Sequence, residues 1–207
     1  MNERNYLVAV YSFPYFGPAR TKLLINFFGS AENVWKIGSI KLSQVGLSAK
    51  ITRNFIDYRK DFNLDKYFND LNELSVKYLT YEDKDYPENL KGLADAPLVL
   101  YYKGVIKRSD KNAVAVVGSR KITSYGREVA VKFASELASF GITIISGLAF
   151  GVDLAAHKAC LDAGGRALAV LASGLDSITP VSNSWLAKEI IKAGGSLISE
   201  YPLGHKP

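Results

Sequence analysis

From Ala113 onward the chain alternates apolar runs of strand length with amphipathic stretches of helix length. That rhythm restricts the possible folds more than any other feature. Ala113 to Val117, Ile142 to Ile145, Ala167 to Leu171 and Ser196 to Ser199 read as four doubly buried strands. Between them Ser124 to Phe140, Val152 to Ala163 and Asn183 to Ala193 read as helices, the last two closed by Gly164-Gly165 and Gly194-Gly195. Val129, Phe133, Leu137 and Phe140 are expected on the inner face of the first helix. Buried strands joined by helical crossovers form a parallel sheet with helices on both faces, a Rossmann-like α/β domain.

The first 75 or so residues have a different grammar, short helices broken by glycines. Pro18 to Phe28 places Leu23, Leu24, Phe27 and Phe28 together, and Gly29-Ser30 ends that helix. Ala31 to Ile37 follows, with Ser30 as N-cap and Asn33 in the capping-box position. Leu42 to Val45 and Ser48 to Asp61 continue the pattern. Such modules are like SAM or helix-hairpin-helix domains, which bind DNA backbone, bind proteins or simply pack. Residues 76–81 and 98–102 then read as strands around the turn Asp85-Tyr86-Pro87, and residues 105–112 as an exposed connection. The expected division is a small all-α domain over 1–75 and the Rossmann-like domain over 76–207.

Composition narrows the function classes. The 207 residues are 48% hydrophobic, enough for packed cores, and carry a net charge of +6. The positive excess leans towards the second half, where residues 105–207 hold 12 basic and 8 acidic side chains. A chain of this balance tolerates polyanions, although charge alone does not identify DNA as the partner. Cys160 is the single cysteine, which excludes a disulfide framework and a cysteine-rich zinc site and points to a reducing cytoplasm. Its place in an apolar helical pattern predicts a buried small hydrophobe. The first apolar stretch, Leu7 to Val10, is too short for a signal peptide, and no run approaches the ~18 residues of a membrane span. The expected protein is soluble and cytoplasmic, with no membrane association.

In a parallel sheet the strand-to-helix loops emerge at one edge, where ligands bind. Three successive loops there pair glycine with serine: Gly118-Ser119, Ser146-Gly147 and Ser173-Gly174. Glycine admits close approach, helix N-termini present amides to an anion, and Arg120 can grip a phosphate with two parallel hydrogen bonds. The predicted site is an anion-binding groove. Neither a G-x-G-x-x-G fingerprint nor a P-loop is present, which disfavours NAD and ATP; no cofactor is expected. Asp153 and His157 sit four residues apart on one helix face, with Asp153 expected to order the glycine loop and His157 to steady it. A catalytic role for the pair stays open as the less favoured reading. Two distant histidines without thiols predict no metal site, and His205 carries no reading.

The motifs taken together resemble the DprA/Smf family, the DNA-processing proteins of bacterial natural transformation. Val116 to Arg120 is similar to its Gly-Ser-Arg signature. Ile145 to Asp153, followed by Ala156-His157, is similar to its Ser-Gly-x-Ala-x-Gly-[Ile/Val]-Asp segment. Leu171 to Asp176 with Pro180 and Asn183, and then Ile198 to Pro202, resemble the next two blocks. Asp85-Tyr86-Pro87 with Pro97 to Tyr101, and Leu24 to Trp35, resemble the family's earlier segments.

The resemblance implies binding and protection of single-stranded DNA, loading of the RecA recombinase, no enzymatic turnover, and a homodimer for the full-length protein. It implies phosphate contacts from Gly118, Ser119 and Arg120, with the Ser146–Asp153 loop, including Gly147 and Gly151, lining the same pocket. Ser173 and Gly174 belong to the expected groove, and Lys121, Arg127 and Lys158 join it as basic residues near those loops. The family commonly has Tyr-Pro-Lys/Arg where this chain has Thr179-Pro180-Val181, which removes an aromatic and a cation. The resemblance also implies further strands and an Arg-Asn-Arg block beyond Pro207, where the chain stops directly after a strand. Two alternatives remain. One is an enzyme like the nucleotide phosphoribohydrolases on a related scaffold, although their Pro-Gly-Gly-x-Gly-Thr segment is absent. The other is a protein-docking role for the N-terminal helices.

Overall fold

A computed structural model describes residues 1–207. It contains two compact units rather than a single cut between residues 75 and 76. The first comprises Met1–Leu74 with Leu79–Val99, and the second Ser75–Tyr78 with Leu100–Pro207.

The helical unit holds α1 (Glu3–Tyr11), α2 (Pro18–Phe28), α3 (Ala31–Lys36), α4 (Ser39–Ser43), α5 (Ala49–Asp61) and α6 (Leu64–Glu73). Helix α1 buries Tyr6, Val8, Ala9, Val10 and Tyr11, so it is apolar nearly all round and shows no periodicity in sequence. Asn2 and Asn5 cap its start reciprocally, each side chain accepting from the other's backbone amide. The Glu3 carboxylate accepts from the amides of Ala31 and Glu32, placing negative charge at the N-terminus of α3. Ser30 caps α3 as expected, whereas Asn33 does not complete a capping box: its amide donates to the Phe28 carbonyl at 2.8 Å.

Helix α2 has the expected bounds, with proline at its first position and Gly29 at φ +87° ending it. Its apolar residues divide: Leu24 is fully buried, while Leu23 and Phe27 are exposed. The core gathers Val10, Phe13, Phe16, Leu24, Val34, Leu42 and Phe55. Residues 79–99 include the short helix α7 (Glu88–Lys91). Tyr86 fixes them by donating its buried hydroxyl to the Pro97 carbonyl at 2.7 Å. Asp83 accepts from the Thr80 amide and from the Arg4 guanidinium.

The sheet contains β1 (Lys77–Thr80), β2 (Val99–Gly104), β3 (Ala113–Ala115), β4 (Thr143–Ser146), β5 (Ala167–Leu171) and β6 (Ser196–Ser199), in the order β1-β2-β6-β5-β4-β3. Strands β3 to β6 form the expected parallel ladder, and β2 joins it antiparallel, pairing Tyr101 with Ser199. The crossovers α8 (Ser124–Ser139), α9 (Val152–Asp162) and α10 (Ser184–Lys192) pack in succession, α8 on α9 and α9 on α10. On β3 and β5, Ala115 and Val170 are exposed.

Two expectations about burial are corrected. Strand β3 is the sheet's outer strand and pairs only with β4, so Val114 is 40% exposed, and Val117 lies past its end in the following loop, 69% exposed. The inner face of α8 is Ala130, Ala134 and Ala138, while Phe133 and Phe140 are exposed. Alanines win that face because α8 packs on α9, whose buried residues include Ala155, Ala156, Ala159 and Cys160, and small side chains let helices approach closely. Cys160 is buried and free as expected, and burial pushes its thiol up to about 11.

At the opposite end of the parallel strands from the loops, Arg166 ties the sheet to the 3-10 turn Arg108–Lys111. Its guanidinium donates to the Asp110 carboxylate and to the carbonyls of Gly194 and Val105. Burial raises the Asp110 carboxyl, but the bonds from Arg166, the Lys107 amide and the Thr143 hydroxyl outweigh it and hold the group below its ordinary value. Removing one partner strands a poorly solvated charge. Arg166→Met is expected to lower the free energy of urea unfolding by about 3 kcal/mol. The Asp110→Asn/Arg166→Met double variant should lose clearly less than the sum of the single changes.

Candidate functional site

The rim above the C-terminal ends of β3 to β6 carries four loops, over residues 116–123, 147–151, 172–183 and 200–205. They differ sharply in what they leave open. In the first, Gly118, Ser119, Arg120 and Lys121 are all exposed. The backbone amides of Gly118, Ser119 and Arg120 donate to no acceptor in the chain. The Ser119 hydroxyl braces the turn, accepting from the Lys121 amide at 3.1 Å and donating to the Lys121 carbonyl. Thr123 caps α8 by accepting from the Gly126 amide at 3.0 Å. Arg120, Lys121 and Arg127 are exposed cations with no ion pair. Across residues 118–132 only Glu128 opposes them and Lys132.

The second loop holds the first in place. Gly151 adopts φ +77°, and a Cβ there would lie 2.1 Å from the Ser119 carbonyl oxygen. The position therefore demands glycine on both conformational and steric grounds. Val152 donates its amide to that same carbonyl at 3.2 Å. A side chain at Gly118 would strike the Val152 methyl at 2.7 Å. Asp153 is buried and its Oδ2 accepts from the amides of Gly147 and Ala149, at 3.0 and 3.3 Å. Asn183 donates to the carbonyls of Leu148 and Ala149. The sequence reading assigned Asn183 no role; an asparagine before a helix carries no signal that it reaches a loop 34 residues away.

Several expected contact groups are engaged elsewhere. The Ser146 hydroxyl donates to the Val116 carbonyl at 2.6 Å, and the residue is 2% exposed. Ser173 is 1% exposed and donates to the Ser177 carbonyl. Gly174 gives its amide to the His205 carbonyl at 2.9 Å. Serine in these tight turns closes the backbone upon itself, and of the three glycine-serine pairs only Gly118-Ser119 is exposed at both residues. Lys158 also departs from its expected place: it pairs with Asp162 at 2.6 Å and lines a groove with Trp185 and Glu189, between α9 and α10. It is the seventh residue of α9, about 9 Å along the axis from the helix start.

His157 lies fully buried beneath the second loop, and neither ring nitrogen makes a hydrogen bond of good geometry. Burial depresses its pKa to about 4, against the opposing pull of the Asp153 carboxylate and the Ser146 backbone. It is a neutral, sealed group. No three histidine, cysteine or carboxylate side chains are placed to hold a metal ion. No helix is long and apolar enough to cross a membrane.

Residues 77–207 match the family described as DNA recombination-mediator protein A. The Smf protein of Synechocystis sp. is 36% identical in a match covering the whole chain and 53% of that relative. The chain spans about half the length of the Smf proteins of Synechocystis sp. and Escherichia coli. The X-ray structure of DNA processing protein A from Streptococcus pneumoniae superposes with a TM-score of 0.75 at 29% identity, covering 98% of this chain and 69% of that one. A structure of DNA processing protein A from Helicobacter pylori, described for its single-stranded DNA binding mode, gives 0.55 at 33% identity, covering 63% and 59%.

The buried histidine has a measurable consequence. Its folded pKa lies below the ordinary value of 6.5, so the native state takes up its proton later than the unfolded chain does. The stability it confers is present above pH 6.5 and is lost as pH falls towards 4. Thermal unfolding of the parent should weaken over that window by up to about 3 kcal/mol, and His157→Gln should flatten the dependence.

Proposed function

Because the chain belongs to the DNA recombination-mediator protein A family, we propose that its α/β unit binds single-stranded DNA along the loop rim. The observation that carries this reading is the first loop: three unbonded amides and the unpaired cations Arg120, Lys121 and Arg127, on a turn that Gly151 and Val152 hold in place. Amides in a fixed turn accept a phosphate without reorganisation, and the guanidinium adds a bidentate grip. Gly118, Ser119 and Arg120 are the central contacts, flanked by Lys121 and Arg127. Ser146, Gly147, Gly151 and Asp153 act beneath them by shaping the loop. By the same reading this binding serves to protect incoming strands and to load RecA, with the protein acting as a homodimer in the cytoplasm.

The phosphoribohydrolase alternative gains no support from Asp153 and His157. The carboxylate is engaged by two amides and the imidazole is sealed from solvent, so neither reaches a substrate at the rim.

Titration of labelled oligothymidylates of increasing length at two salt concentrations tests the reading. Affinity should rise with length and fall with salt as counterions are released. Arg120→Ala is expected to weaken binding by roughly tenfold and to reduce the salt slope by about one unit. Unchanged affinity in that variant would remove Arg120 from the interface.

A further inference from the structure

The segment after β6, Glu200 to His205, is fastened onto the third loop. The Gly174 amide donates to the His205 carbonyl, and the Gly204 amide to both carboxylate oxygens of Asp176 at 3.1 Å. Tyr201 donates its amide to the Ser199 hydroxyl at 3.0 Å, and His205 donates its own to the Pro202 carbonyl. Glycine is required at 174, where a Cβ would lie 2.5 Å from the Pro202 carbonyl oxygen. These bonds bring the rings of Tyr201 and His205 face to face, with centroids 4.1 Å apart and planes 6° from parallel. Tyr201 is nevertheless 40% exposed.

We propose that the Tyr201–His205 pair is a stacking platform for a nucleobase, at the far end of the rim from Arg120. This rests on the DNA-binding reading above and adds a second kind of contact to it. A parallel ring pair fixed by backbone bonds presents a flat π surface whose ordering has no further entropy cost on binding. The partly exposed ring pair offers a flat apolar face to a base, and the Asp176 carboxylate beside it is already engaged by the Gly204 amide and by the charge of Lys103. Strand β6 lies three places from β3 in the sheet, and neighbouring strands stand about 4.8 Å apart. The two contact points are thus separated by roughly 14 Å, a span of a few nucleotides. Phosphate is held at one end and a base at the other, which also gives the rim an aromatic contact although Thr179 and Val181 provide none.

The test compares oligothymidylate with an abasic oligomer of equal length, using the 207-residue chain. The parent should bind the thymidylate at least about fivefold more tightly. The Tyr201→Ala/His205→Ala double variant should lose that preference and keep the parent's salt slope, while Arg120→Ala should keep the preference and lower the slope. His205→Ala alone leaves the backbone bonds intact and provides the same reading if the double variant does not fold; it should reduce the preference. Tyr201→Phe should retain it. A parent without preference for the thymidylate, or folded platform variants that keep it, overturns the platform and leaves phosphate binding standing. A parent that binds neither oligomer overturns the DNA reading and the platform with it.

Discussion

The approach of Gly151 to the Ser119 carbonyl is the contact on which the rim depends. It is a backbone-to-backbone fit that any Cβ would destroy, and the Val152 amide bonds to that same oxygen. Two loops from neighbouring strands are thereby joined into one rigid piece. In the second loop the Gly147 and Ala149 amides are satisfied by the Asp153 carboxylate, so that charge faces inward, while the first loop presents unbonded donors on an exposed turn. Rigidity and availability are divided between the two loops. Preorganised donors hold an anion well because nothing must move to receive it.

Much of this architecture was legible in the sequence because the α/β unit repeats its pattern. The bounds of β5 and β6 were fixed by apolar runs between glycine turns, and α2 by proline at its start and glycine at its end. Where the reading failed, tertiary contact overrode local preference. On α8 the large residues Phe133 and Phe140 suggested the inner face, but closeness to α9 selects alanine. Helix α1 left no periodic trace because it is buried on nearly all sides. At the site, Arg120 and its neighbours were legible as exposed cations after a strand. The inward turn of Ser146 and Ser173 was not, since a serine that lines a groove and one that closes a turn have the same sequence signature.

Lys158 teaches a related lesson about distance along a helix. Nearness in sequence to a glycine loop placed it at the groove, yet two turns of helix carry it to the α10 side, where Asp162 neutralises it. His205 shows the converse. It stands near the last residue, without any informative neighbours in sequence, but its carbonyl and ring are both fixed against the body of the domain.

Strand β3 contributes only three residues to the ladder, and its outer side has no neighbour. A bare margin bearing Val114 would ordinarily invite a foreign strand to extend the sheet, the route by which folded domains seed fibrils. A strand of three residues offers few backbone bonds to any partner that pairs with it, so a neighbour on this side would have to be held chiefly by side-chain packing against Val114 and its surroundings.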